Sequence, residues 1–193
     1  MFDSNLPYSL IEIRVPRTSE KTPEAAAQLF TAFSSLPKKG LFSAKPPASI
    51  SFEIICSDQQ IRFLIVCPKD QTAYVESQIS AHYPESVLNQ LPNDYLSNLT
   101  QNQAPLFAGQ VELAAYYYLP LKTFREIKET DLLSSVLGTM SKAGPNDFML
   151  FQLLIANGGG WQKSAQGMID KGIPLEEGRV GAHPQAKNIT KKL

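Results

Sequence analysis

Histidine, cysteine and tryptophan are scarce in this chain: of 193 residues, two are His, two are Cys and one is Trp. His82 and His183 leave few side chains that titrate near neutral pH, so acid–base chemistry has few candidates. No Ser-His-Asp set, Cys-His set or carboxylate pair can be nominated from order and spacing. Cys56 and Cys67 are too few for a metal cage. No second histidine or cysteine stands at ligand spacing from His82, which reads as a structural histidine favoured by the dipole at a helix end. No catalytic, cofactor-binding or metal-ligating residue is nominated, and no cofactor is expected. Net charge is also lacking: 18 basic and 18 acidic residues cancel, so no global basic field draws nucleic acid or anionic lipid. No apolar run reaches the roughly 18 residues that a membrane span needs. The first ten residues lack a basic region followed by an apolar one, so no signal peptide is expected. A cytoplasmic location and two buried free thiols fit this pattern.

What is present suits a globular fold. Apolar residues make up 43% of the chain and charged residues only 19%, below the usual quarter or so. The shortfall of charge implies that some less polar surface meets a partner. The length allows one sizeable domain or two small ones.

Residues 9–17 alternate Ile11, Ile13 and Val15 against Leu10, Glu12 and Arg14, a strand stopped by Pro16. Thr22-Pro23-Glu24 is a helix start: Thr22 can cap, Pro23 suits the first position and Glu24 favours the positive dipole end. Ala26, Leu29, Phe30 and Phe33 then form one helical stripe. Residues 37–47 read as a loop. Residues 50–57 and 61–68 are two alternating strands joined by the polar turn Ser57-Asp58-Gln59-Gln60, a β-hairpin. Its register keeps Cys56 and Cys67 apart. Asp70 can cap a second helix carrying Val75, Ile79 and Tyr83 and ended by Pro84. Residues 86–91 form a short strand, and 92–105 a polar loop. This βαββαβ order predicts a ferredoxin-like unit over residues 1–105, an α+β fold with a four-stranded antiparallel sheet and both helices on one face.

A second, related αβ unit is expected over residues 106–172. Residues 111–119 alternate as a strand. Thr130 or Asp131 caps a helix carrying Leu133, Val136, Leu137 and Met140, closed by Gly144-Pro145. Residues 148–156 are nearly all apolar, the pattern of a central strand covered on both faces. Gly158-Gly159-Gly160 leads into a helix with Trp161, Ala165, Met168 and Ile169 on one stripe. Residues 173–193 lack periodicity and read as a linker or the start of a further domain.

Two constellations hint at chemistry. Gly158-Gly159-Gly160 lies between a strand and a helix, where free amides can cradle a phosphate. It lacks the glycine spacing of a dinucleotide fingerprint and the Lys-Ser/Thr of a phosphate loop, so a plain connection is the stronger reading. Tyr116, Tyr117 and Tyr118 could stack bases, as on the sheet of an RNA-recognition domain. However, the third strand, Ile61-Arg62-Phe63-Leu64-Ile65-Val66, lacks the basic-Gly-aromatic signature, which favours packing or a protein-facing surface.

Several segments carry a resemblance when taken together: residues 10–17 (LIEIRVPR), 20–25 (EKTPEA), 50–54 (ISFEI), 60–63 (QIRF) and 75–79 (VESQI) with His82-Tyr83-Pro84. Leu121-Lys122-Thr123-Phe124 and Trp161 before Ile169-Asp170-Lys171 extend it. This pattern resembles the soluble N-terminal region of a bacterial family of type IV secretion or conjugative-transfer ATPase-like proteins. The resemblance implies a membrane segment ahead of this module and, in some members, a motor domain after it. No Walker motif stands in this chain, so no motor residues carry over. The expectation is a non-catalytic assembly or partner-binding module beside an ATPase. It would contact protein or a neighbouring ATPase domain, and the membrane only through segments outside this chain. The alternative is RNA or single-strand binding through an aromatic sheet face; a third is an enzyme whose site does not show in the sequence.

Overall fold

A computed structural model describes residues 7–34, 49–91, 106–112, 123, 125–126, 133–156 and 161–170. The chain divides into two compact units, 1–104 with 130–157 and 105–129 with 158–193.

The first unit is an α+β structure built on a five-stranded antiparallel sheet. Its elements are β1 (Tyr8–Arg14), α1 (Pro23–Phe33), β2 (Ser49–Ser57), β3 (Gln60–Pro68), a 3-10 turn (Lys69–Gln71), α2 (Thr72–His82), β4 (Val87–Leu91), α3 (Ser134–Met140) and β5 (Met149–Ala156). The strand order is β4-β1-β3-β2-β5. The expected four-stranded sheet is corrected in one respect: the apolar segment near residue 150 does not found a sheet of its own but pairs along β2, from Ser49 opposite Ala156 to Cys56 opposite Met149.

The β2–β3 hairpin forms as its alternation predicts, with Ser57 opposite Gln60. Asp58 and Gln59 both take positive φ, 51° and 58°, the left-handed pair that matches a hairpin turn to the twist of its strands. α1 begins at Pro23 behind Thr22, whose hydroxyl makes no capping bond. Asp70 does not cap α2: it lies in the 3-10 turn, and Gln71 precedes the helix. The Thr72 hydroxyl ties this junction to Ser9 on β1, at 2.7 Å.

Strand pleating sends alternate residues to opposite faces. One face carries Ile11, Ile50, Ile65 and Cys67, packed under Leu29 and Phe33 of α1 and Val75 and Ile79 of α2. Phe52 extends this core through tilted contacts with Phe30 and Phe33, at 5.0 and 5.9 Å between centroids. The Tyr74 hydroxyl donates to the Ala32 carbonyl, pinning α2 to α1. A second cluster lies at the other end of the same face, where Met140 and Ala143 pack on Ile54 and Cys56. All three helices of this unit therefore bear on one face. Cys56 and Cys67 are free and buried, and the registers set them opposite Ile61 and Ser9 respectively.

β5 is the outermost strand among the described residues, and its side chains are largely exposed. The expectation of a central strand covered on both faces is thus overturned. A continuous apolar run fits a doubly buried strand or an uncovered edge equally well, because periodicity reports alternation and not cover.

In the second unit, α4 (Trp161–Asp170) forms, with Ala165 buried. Residues 106–112 form neither helix nor strand, and Leu106, Phe107 and Val111 are exposed. The expected features at Tyr116 to Tyr118, Thr130, Asp131 and Gly158 to Gly160, and the tail 173–193, lie outside the described residues, as do the side chains of Trp161 and Ile169.

Candidate functional site

The helix-bearing face is not fully covered. The registers align Leu88, Ile13, Phe63, Ile54 and Phe151 in one row that crosses all five strands. On one side of this row stand α1 and α2 over Ile11, Ile65 and Phe52. On the other stands α3 over Cys56 and Met149. Between them runs an apolar groove of about 980 Å³. Its floor is Ile13, Phe63, Ile54 and Phe151. Leu29, Ile79 and Tyr83 border it on the α1–α2 side, and Leu133, just before α3, on the other. Phe63, in the middle strand of the row, is 44% exposed, and Phe151 and Leu153 are exposed as well. A phenyl ring open to water at the centre of a sheet is unusual, because strand centres are where aromatic burial contributes most.

The groove has little polar chemistry of its own. Glu12, Arg14, Arg62 and Glu53 also line it, but pleating turns their side chains to the opposite face. There they form a polar system. Asn89, Glu12, Leu64, Glu53 and Gln152 align in the adjoining row, which puts Glu12 and Glu53 two strands, or about 10 Å, apart. Both carboxylates are buried. Glu12 accepts from Arg14 at 2.9 Å. Glu53 accepts from the Ser51 hydroxyl and the Gln152 amide, each at 2.8 Å. Arg62 donates to Ser57 at 3.0 Å. These bonds account for charges held inside a sheet, and they tie β5 to β2 through side chains as well as backbone. Sequence reasoning nominated no carboxylate pair; the signal available was a single Glu inside each of two apolar strands, Leu10-Ile11-Glu12-Ile13 and Phe52-Glu53-Ile54.

His82 closes α2 with its Nδ1 hydrogen-bonded to the Gln78 carbonyl at 2.8 Å, as expected for a structural histidine at a helix end. Burial pushes the Cys67 thiol up, against a hydrogen bond from Thr72 that lowers it. Burial likewise raises the Tyr83 phenol, with the Glu85 charge adding to it. The Glu85 carboxyl lies below its ordinary range because the Ser19 hydroxyl donates to it at 2.5 Å. Among the described residues no three His, Cys, Asp or Glu side chains gather as a metal site would require, and no helix is long and apolar enough to cross a membrane.

One family model matches the chain, a domain of unknown function, DUF8128, over residues 3–156. No curated protein and no solved structure matches it.

Proposed function

The chain belongs to the DUF8128 family, and we propose that it works as a protein-binding module whose transverse groove receives an apolar, amphipathic helix from a partner. The observation that carries this reading is the apolar groove centred on Phe63, where Phe63 and Phe151 stand exposed between the two covered parts of the face. Four strands spaced about 4.8 Å apart make a floor about 14 Å long. A helix of about 10 residues has that length. Helices already line both long sides of the gap, so a further helix would complete the layer that covers this face. Such a ligand anchors through apolar residues at i, i+3, i+4 and i+7.

The setting we propose is the one the sequence resemblance implies, a non-catalytic assembly element beside a secretion or DNA-transfer ATPase. Its support is the resemblance of short segments and the apolar character of the groove. We also read β1 to β4 with α1 and α2 as a split βαβ core of ferredoxin-like type, extended by β5. Nucleic-acid binding would call for aromatic and basic side chains together on one face. Among the described residues, Phe63 and Phe151 lie on one face and Arg14 and Arg62 on the other.

Selection of helical peptides from a randomised amphipathic library against the whole chain tests the reading. Enriched peptides should carry apolar residues at helical spacing, shift the backbone resonances of Ile13, Phe63 and Phe151, and lose binding to a Phe63→Ser variant that remains folded. Enriched peptides that bind Phe63→Ser as tightly as the parent chain would refute it, as would a selection with no enrichment.

A further inference from the structure

Among the described residues, β5 is an unguarded edge. It is eight residues long, Met149–Ala156, and carries no charged residue and no proline. Its backbone pairs with β2 on one side, and among the described residues no strand pairs with its other side. Soluble proteins normally blunt such an edge with lysine, proline, a bulge or a covering segment, because a row of free amides and carbonyls templates further pairing. From this we infer that β5 pairs with β5 of a second copy of the chain, antiparallel about a two-fold axis perpendicular to the sheet, giving one continuous ten-stranded sheet. Phe151 and Leu153 also line the groove, so the tests below act at residues 150, 152 and 154, which pleating turns to the opposite face.

The pleat fixes the register. Such an axis keeps each face of one copy level with the same face of the other, so every residue must oppose one of its own parity. Of the registers that satisfy this, the two with the greatest overlap are centred on Gln152 and on Leu153. Centring on Gln152 sets Gln152 against Gln152 of the second copy, Phe151 against Leu153 and Leu150 against Leu154. It matches the polar residue with itself and every large apolar residue with another. Centring on Leu153 sets Gln152 against Leu154, a poorer cross-strand pair. The occupant is a second copy because the edge is self-complementary: it is neutral, so two copies meet without like-charge repulsion.

The exposed surface is consistent with a reversible dimer. Leu150, Phe151, Leu153 and Leu154 are 36, 39, 47 and 62% exposed. At about 150–200 Å² per side chain they offer roughly 350 Å² per copy. With the backbone edges, total burial comes to about 1,000 Å², the low end for a specific interface. A weak, concentration-dependent dimer is the expected consequence.

Sedimentation velocity on the whole chain, run from about 1 to about 100 μM, should show a monomer–dimer equilibrium in that range. Two double variants test the register, because residues 150 and 154 oppose each other across the axis. Leu150→Lys with Leu154→Lys sets like charges against each other at both pairs and should abolish the dimer. Leu150→Glu with Leu154→Lys sets opposite charges there and should retain it. Circular dichroism melts establish that each is folded. If the lysine pair does not fold, Gln152→Cys carries the test. Residues opposed in an antiparallel pair have Cα atoms about 4.5–5.5 Å apart, within disulfide reach. Because Cys56 and Cys67 are buried, mild oxidation should cross-link this variant into a covalent dimer and leave the parent chain monomeric on a non-reducing gel. A monomer at the highest concentration, equal behaviour of the two double variants, or no cross-link through position 152 would each overturn the inference.

Discussion

Ile65 and Phe63 are two residues apart on the middle strand, point to the same face, and should respond differently to truncation. Ile65 is wholly buried beneath α1 and α2, so Ile65→Ala removes its transfer energy and leaves a cavity between a sheet and two helices that cannot collapse easily. The cost should fall high in the usual range, about 4 kcal/mol. Phe63 keeps 44% of its surface in water in the folded state. A fully buried Phe→Ala change costs about 3–5 kcal/mol. Only the enclosed part of the ring is lost here, so Phe63→Ala should cost about 2 kcal/mol. Urea titration followed by circular dichroism measures both. With a slope of about 2 kcal/mol per molar, the two midpoints should differ by roughly 1 M, at a slope shared with the parent chain. If Phe63→Ala costs as much as Ile65→Ala, the ring is packed in solution and the groove is closed, and the proposed binding site goes with it.

Further expectations concern the turn, the thiols and the buried carboxylate. Gln59→Gly should stabilise the chain by about 1 kcal/mol in the same titration, because glycine relieves a left-handed residue at a hairpin position, less whatever its 3.5 Å bond to the Ala143 carbonyl contributes; a destabilised variant would refute the turn geometry. Cys56 and Cys67 should both resist a thiol reagent in the native state, and two thiols per chain should react in denaturant without reductant; a count of zero would contradict the free-thiol assignment. The raised Cys67 and Tyr83 values have a pH consequence. A group whose folded value is raised contributes stability that is complete below its unfolded value and is lost as pH rises through the folded one. Thermal midpoints should therefore fall above about pH 8.5, and Cys67→Ala should reduce the first part of that fall. Glu53→Ala should cost about 1–3 kcal/mol, because Ser51 and Gln152 lose a buried acceptor; a neutral result would mean that these donors reach water.

The hairpin and the α1–α2 core were legible because each rests on local signals: strict alternation on β2 and β3, a polar turn of fixed length, and Leu29, Phe33, Val75 and Ile79 at helical spacing. The place of β5 was not legible. Its apolar run is compatible with a separate sheet, a central strand or an edge, and only pairing to β2, about a hundred residues earlier in the chain, decides among them. The groove was hidden for a related reason. Ile13, Phe63, Ile54 and Phe151 are each ordinary strand residues, and they form one surface only once three registers are set. The helix cap at Asp70 failed because a 3-10 turn intervenes before α2 begins, and cap signals locate a helix end only to within a residue or two.

The pleat makes the two proposed surfaces separable on β5. Phe151 and Leu153 project onto the helix-bearing face and border the groove, whereas Leu150 and Leu154 project onto the opposite face, beside the Glu12–Glu53 row. Both sets sit on one strand, so a substitution that unseated β5 would damage both surfaces together and could be mistaken for a shared function. Charged residues at 150 and 154 avoid this. They leave the groove's own side chains in place and act through the strand-to-strand contact, where opposed like charges are unfavourable and opposed unlike charges are not. Phe63→Ser works in reverse: it lies two strands in from β5 in the order β3-β2-β5 and alters the groove floor without touching the pairing. The low charge content therefore resolves into two causes with different signatures. The groove accounts for loss of helix binding at constant oligomeric state. The β5 edge accounts for loss of the dimer at constant helix binding.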